Sequence, residues 1–440
     1  VIKRIVEAFR DRAVRRVAKF GLPVTLGKAM TSIASLVQLS LLAHHLGLVE
    51  FGVLALIRVV VSIVDQYSNF NTWQAVVKYG TEAMARACTR DVCKIIKLAV
   101  WIDFITAVIA TLVVVGLALL VPHAFSWTAH EALLCALYAV TLITRLPGAS
   151  DGIFRICDAY RAQAIVSAIG AFAMTVSIGV AVWFGASFDG CVLALVIGEV
   201  ISNLLITICG FWVARRASYG AWWSVELSGY RTTFPGILRF LLATSGQLTV
   251  KKTQTELDMV VVGSMLGTAA SGLFRVVKQF GTIPGRVFMP FEQVLFTELA
   301  RHAAERDYLG FRQLLRRAVG LAILGSLGVW IVTAVLAGPI IRLVAGSDFL
   351  PAVWPLRWYL LAMVLVIANA PTQRALVALG RPGVLFFMDL VTLGVLVAMI
   401  VGGAMLYGLV GVTVAVLLHK VLQLSWTSWL VERTLAERMR

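Results

Sequence analysis

The stretch "HHLGLVEFGVLALIRVV" (His44–Val60) returns, loosely, as "SMLGTAASGLFRVVKQF" (Ser264–Phe280). Gly47 and Gly52 fall on Gly267 and Gly272, and Arg58 falls on Lys278, all at one offset of 220 residues. Upstream, Phe20 falls on Phe240 and Thr25 on Ser245 at the same offset. Further on, Arg155 in "IFRICDAYRAQ" aligns with Arg374 in "TQRALVALGRP", one residue short of that spacing. Half of the 440-residue chain separates each pair, so the sequence reads as a duplication.

The duplicated unit belongs to a membrane. The chain is 60% hydrophobic and 14% charged, with a mean hydropathy of +0.88. Soluble domains are about half apolar and about a quarter charged. Runs such as "FITAVIATLVVVGLALLV" (104–121) and "AVGLAILGSLGVWIVTAVLA" (318–337) are long enough to cross a bilayer. Twelve spans are expected, at about 22–44, 51–70, 94–121, 127–148, 163–185, 190–213, 236–263, 268–299, 318–341, 352–379, 384–406 and 409–430.

The loops between these spans divide by charge. "GLVE", "VPHAFSW", "GASFDG", "LGTAAS" and "YG" carry no lysine or arginine. The alternate loops hold Lys78, Arg86, Arg90, Lys94, Arg155, Arg161, Arg215, Arg216, Arg231, Arg301, Arg306, Arg312, Arg316, Arg317, Arg374 and Arg381. Basic residues stay on the cytoplasmic side, which puts both termini in the cytoplasm. The net charge of +16 is thus a topology signal, not a nucleic-acid surface. An even six spans per half sends both halves into the membrane in the same direction, with a pseudo-two-fold axis along its normal. The expected fold is all-α, with two six-helix lobes at 21–214 and 236–432. A basic amphipathic arm is expected over 1–20, too charged for a signal peptide, with a cytoplasmic linker over 215–235 and a tail over 433–440.

Charges inside apolar spans are costly and mark cavities or pairs. In "TVKKTQTELDMVVVG" (249–263), Thr244, Gln247, Lys251, Gln254, Thr255 and Asp258 share one helical stripe, flanked by Lys252 and Glu256. The matching first span has Lys28, Thr31, Ser35 and Gln38, and the second spans of the halves add Arg58, Asp65, Arg275, Lys278 and Gln279. Two readings stand. In one, Lys28, Arg58, Lys251, Lys252, Arg275 and Lys278 line a wet central cavity and bind an anionic head group such as a pyrophosphate. Asp65, Glu256 and Asp258 then balance charge or carry a coupling ion. In the other, the charges pair internally: Lys251 with Asp258, Lys252 with Glu256, Arg58 with Asp65. Asp103, Glu199 and Asp389 are isolated acids, either ion sites or caps and pairs. Pro284, Gly285 and Pro290 are expected to bend the eighth span.

Enzyme chemistry is missing. "GLPVTLGKA" (21–29) has the wrong glycine spacing and an alanine where a phosphate loop needs Ser or Thr. No zinc-protease helix, nucleophile elbow or His/Cys metal cluster occurs, the six cysteines are scattered, and no cofactor is called for.

Three segments, "LGLVEFGVLAL", "FNTWQAVVKYGTEA" and "ELDMVVVGSMLGTAASGLFRVVKQF", resemble the Wzx-type polysaccharide flippases of the multidrug/oligosaccharidyl-lipid/polysaccharide exporter superfamily. The resemblance runs through nearly the whole chain in order and span count. It implies a two-lobed bundle in the bacterial cytoplasmic membrane. The implied activity is to move undecaprenyl-pyrophosphate-linked oligosaccharide to the periplasmic leaflet by alternating access, coupled to a proton or sodium gradient. It also implies work beside a glycan polymerase and glycosyltransferases. Lipid II flippases of the superfamily carry two more spans than are read here. Its drug exporters carry twelve and remain the alternative, with an integral-membrane glycan enzyme behind them.

Overall fold

The computed structural model describes residues 12–120 and 127–439, and their side chains except at 12–25, 147, 247, 251, 286, 287, 289–291, 293, 294, 297 and 382. The first eleven residues of the expected arm therefore lie outside the described residues. The described elements are α1 (Arg12–Ser68), α2 (Trp73–Ala85), α3 (Thr89–Leu120), α4 (Ala129–Ala139), α5 (Pro147–Ile156), α6 (Tyr160–Trp183), α7 (Phe188–Arg216), α8 (Tyr230–Thr233), α9 (Ile237–Gly281), α10 (Ile283–Ala304), α11 (Tyr308–Val344), α12 (Val353–Ala378) and α13 (Pro382–Met439). No strand occurs among the described residues.

Among the described residues, eight helices are long and apolar enough to cross a membrane. Some are far too long for one crossing: the 58 residues of α13 would run about 87 Å if straight, against a hydrocarbon core of about 30 Å. The helical geometry breaks where this requires it. α1 breaks at Gly47 (φ 71°, ψ −176°), α9 at Gly267 (φ 81°, ψ −174°), and α13 at Tyr407 and Gly408. Three helices are thus pairs of arms. With the shorter apolar helix over 129–142, they account for the twelve expected crossings.

Gly47 and Gly267 are repeat mates and adopt the same left-handed φ, which costs a residue with a Cβ about 1–2 kcal/mol. The next repeat pair, Gly52 and Gly272, packs against its own counterpart. A Cβ on Gly52 would stand 1.8 Å from the Thr268 carbonyl oxygen, and one on Gly272 would stand 2.6 Å from that of Leu48. Leu48 and Thr268 are themselves repeat mates, so the two contacts exchange under the repeat. The local two-fold follows from the duplication, and glycine lets the backbones close on it.

Two compact units result: 1–45 with 60–249, and 46–59 with 250–440. In the first, α6 lies along α7, and α2, α3 and α5 enclose a core around Val76, Ile96, Ile153, Phe154 and Phe234. α4 starts on a capping box: Thr128 accepts from the Glu131 N–H and the Glu131 carboxylate accepts from the Thr128 N–H. Its helix stops at Leu142, short of the expected 148, because a residue before proline, here Leu146 before Pro147, leaves the helical region. The segment after α7 is fastened to this unit. The Lys97 ammonium donates to the carbonyls of Trp223 (2.8 Å) and Val225 (2.7 Å), and Tyr79 Oη donates to that of Pro235 (3.2 Å).

In the second unit, α12 packs on α11 and α13, over a core holding Leu299, Phe311, Ala375, Leu376 and Leu435. The expected bend in the eighth span is a break at Thr282, where α9 ends and α10 begins with Pro284 in its first turn. Proline fits there because the first-turn N–H has no helical acceptor. The prolines that α11 and α12 carry inside, Pro339 and Pro371, leave those helices continuous.

Asp307 caps α11, accepting from the Gly310 N–H (2.9 Å), with His302 Nδ1 on its other oxygen (2.9 Å). The Gly310 N–H, with His302 behind it, holds this carboxyl below the usual carboxylate range. A lowered folded pKa gives stabilisation that is complete at neutral pH and disappears as pH falls through that pKa. Asp307→Ala is therefore expected to lower the melting temperature in detergent at about pH 7 and to match the wild type near pH 3. Gly52→Ala should cost more thermal stability than Gly47→Ala. The first meets backbone at 1.8 Å, whereas the second meets nothing within 4 Å and bears only the φ penalty.

Candidate functional site

The break at Gly267 turns α9 into two arms that run back beside each other. Glu256 and Asp258 on the first arm then face Lys278 on the second. The Lys278 ammonium, 9% exposed, meets Asp258 Oδ1 at 2.8 Å and Glu256 Oε2 at 3.2 Å. Its third donor goes to the Thr255 carbonyl, so all three N–H groups are used. Asp258 Oδ1 also accepts from the Met259 N–H at 2.8 Å. Phe274 on the second arm and Tyr359 on α12 form a T-shaped pair with ring centroids 5.9 Å apart. The repeat positions of Glu256 and Asp258 in the first half are Leu36 and Gln38. The acid pair is therefore a property of the second half alone, and Gln38 bonds instead to Thr175 (3.0 Å) and the Ala171 carbonyl (3.2 Å).

A second polar track in the same unit joins α9, α12 and α13. Gln254 donates to the Asp389 carbonyl, Gln423 Nε2 to Asp389 Oδ1 (3.1 Å), and the Lys420 ammonium to Gln423 Oε1 (3.0 Å). Asn369 Oδ1 accepts from the hydroxyls of Thr372 and Thr427.

The first unit has its own charged cluster. Asp65 Oδ2 accepts from Arg145 Nη1 at 2.7 Å. Nearby, Asp103 accepts from the Thr72 hydroxyl (2.6 Å) and from the Ala149 N–H (2.9 Å) at the start of α5. A carboxylate there satisfies a first-turn N–H and faces the positive end of the helix. Close approach requires Gly148, whose Cβ would stand 2.0 Å from the Thr72 hydroxyl and 2.8 Å from both Asp103 oxygens. Asp65, Ser68, Asn69, Asp103, Thr106 and Arg145 line a small polar cavity. Glu199 accepts from the Tyr138 hydroxyl.

Of the residues singled out in the sequence, the structure brings Lys278, Glu256 and Asp258 together. Asp258 and Glu256 meet Lys278, and Asp65 meets Arg145. Helical spacing reaches only near neighbours, whereas the hairpin offers Asp258 a partner twenty residues away. Lys28 is exposed, and Arg58, Lys252 and Arg275 are half-buried. The side chain of Lys251 lies outside the described residues, as do those of Gln247 and Pro290. Sequence reasoning passed over Arg145 and Lys420. Arg145 precedes Pro147 and reads as a span-end cation. Lys420 stands alone in its span, and its spacing of three to Gln423 is the signal that could have found it.

Residues 41–354 match the family described as polysaccharide biosynthesis protein. The chain belongs to that family. Inner membrane protein YghQ of Escherichia coli (strain K12) is 25% identical over 353 residues, covering 78% of this chain and 96% of that protein. Among solved structures, a lipid II flippase MurJ in an inward closed conformation superposes with a TM-score of 0.73 at 14% identity, covering 94% of this chain and 89% of that one. An inward-facing multidrug resistance MATE transporter of the MOP superfamily gives 0.71 at 13% identity, covering 92% and 95%. At such identities the likeness shows the fold, which these transport proteins share with this polysaccharide biosynthesis family member. It is a multi-pass membrane protein with the fold of that flippase and that transporter.

Removing one partner from a buried ion pair leaves a charge without compensation and costs about 3–5 kcal/mol. Lys278→Met is expected to destabilise the protein by that amount in chemical denaturation. Adding Asp258→Asn and Glu256→Gln should recover part of the loss, since the three groups then leave together.

Proposed function

We propose that this protein moves an undecaprenyl-pyrophosphate-linked oligosaccharide from the cytoplasmic to the periplasmic leaflet of the bacterial inner membrane, for surface polysaccharide synthesis. The observation that carries this reading is family membership over residues 41–354, joined to a transporter fold whose apolar helices retain Arg58, Lys252, Arg275 and Lys278. Guanidinium and ammonium groups held at membrane depth suit a diphosphate, because arginine bonds paired phosphate oxygens through two parallel N–H groups. Arg275 lies one helical turn from Lys278 and shares its face. In this proposal Arg58, Lys252 and Arg275 meet the substrate, beside Lys278, which Glu256 and Asp258 hold in the hairpin. The proposal also takes Lys28 and Lys251, read from the sequence, as substrate contacts.

Alternating access in this scheme draws on an ion gradient. Asp65, Glu256 and Asp258 are the acids through which a proton or sodium ion would be felt, each already set against a cation that can be released by it. Both termini are placed in the cytoplasm by the lysine and arginine distribution. The multidrug-transporter likeness supports a second reading, export of a cationic drug. The basic character of the spans argues against it, since a cationic substrate would be repelled.

A strain carrying Arg58→Gln with Arg275→Gln is expected to lose at least about tenfold of its surface glycan, the scale of one lost charge-assisted phosphate contact of about 1.5–3 kcal/mol. Membrane levels of the protein should be unchanged. Normal glycan display beside new sensitivity to cationic dyes would replace this reading with drug export.

A further inference from the structure

The last span of each half ends on a shared pattern. Trp212 and Arg216 close α7, and Trp429 and Arg433 stand near the end of α13, four residues apart in both cases. One helical turn places each guanidinium over its indole. Arg216 lies 3.9 Å from the Trp212 ring centroid, and Arg433 lies 5.4 Å from that of Trp429.

The two ends then differ in charge. In the second unit the stacked arginine and several of its neighbours meet carboxylates, while Arg306 and Arg317 are exposed. Arg433 meets Glu437 at 3.2 Å, and Arg381 meets the same residue at 2.5 Å. Arg312 and Arg316 share Glu432 at 2.8 and 3.4 Å, and Arg301 meets Glu298 at 2.8 Å. In the first unit, Arg215 and Arg216 are exposed and form no ion pair among the described residues. The same holds for Arg90, Arg161, Arg231 and Arg239.

This end is also built to show aromatic surface. Trp222 stacks on Phe211 at 4.8 Å and 26°, which seats the turn 222–224 against the end of α7. Lys97 holds the turn through the Trp223 and Val225 carbonyls. With Trp222 used for packing, Trp223 is left 61% exposed, and Trp212 is 48% exposed. Exposed indoles in a membrane protein sit at the headgroup level. A guanidinium stacked on an indole keeps its in-plane N–H donors for a phosphate.

We propose that Trp212, Arg215, Arg216 and Trp223 form a docking site for anionic phospholipid headgroups, with the arginines on the phosphate diester and the indoles beside the glycerol. At the corresponding end of the second unit Arg433, the stacked arginine, is held by Glu437, which weakens its pull on such a lipid. The site is independent of what the protein transports. A net negative lipid is favoured over a zwitterionic one because Arg215 and Arg216 bring two positive charges to the site, which a choline or ethanolamine cation partly opposes.

Native mass spectrometry of the full chain, titrated with phosphatidylglycerol or phosphatidylcholine, tests this. Wild type is expected to retain more phosphatidylglycerol adducts. Arg215→Gln with Arg216→Gln should lower them by roughly fivefold per arginine and leave phosphatidylcholine adducts unchanged. Arg316→Gln with Arg433→Gln, the charge-matched change in the second unit, should leave both unchanged. A double first-unit variant that binds phosphatidylglycerol as wild type does, or an equal loss in the second-unit variant, overturns the proposal. In vesicles, brominated phosphatidylglycerol should quench tryptophan fluorescence more than brominated phosphatidylcholine, and Trp212→Phe with Trp223→Phe should remove the excess. Equal quenching by the two lipids in the wild type would reject the lipid site and leave an acidic soluble protein as the occupant.

Discussion

A chain inside hydrocarbon has to satisfy its own backbone hydrogen bonds, and this constraint decides where the helices reverse. The reversals here are concentrated in one or two residues. Gly47 and Gly267 each take a positive φ that redirects the helix with minimal loss of bonding. The functional chemistry depends on the second of these. Asp258 lies nine residues before Gly267 and Lys278 eleven after, so arms leaving the break bring them level. Without the reversal, three charged groups would each sit alone in an apolar helix.

Duplication supplied two copies of this device, and the copies have diverged in chemistry more than in backbone. The glycines and the small-residue contact around Gly52 and Gly272 persist in both. The acids do not: Leu36 and Gln38 stand where the second half has Glu256 and Asp258. The first unit instead holds its carboxylates at Asp65 and Asp103, where Arg145, Thr72 and the start of α5 receive them. Each half thus keeps its buried acids at a different place.

The same divergence appears at the basic ends of the spans. The second unit spends carboxylates on its arginines, at Glu432, Glu437 and Glu298. The first unit ties Lys94 and Lys97 to the backbone carbonyls of Ser228, Trp223 and Val225, which fixes the connecting segment without using a carboxylate.

Much of the fold was legible in the chain. Apolar runs of span length, loops sorted by lysine and arginine, and the common offset of Gly47, Gly52 and Arg58 with Gly267, Gly272 and Lys278 determined an all-helical, duplicated membrane protein. These signals are one-dimensional: hydropathy and spacing survive without knowledge of neighbours. The membership of Lys278, Glu256 and Asp258 in one polar set was legible too, because charges in apolar helices stand out. Their pairing was not. Helical periodicity relates residues three or four apart and does not reach Lys278 from Asp258, while Arg145, which meets Asp65, reads as an ordinary span-end cation. Which helix faces which is settled by packing around the glycine reversals, and only that packing assigns each buried charge its partner.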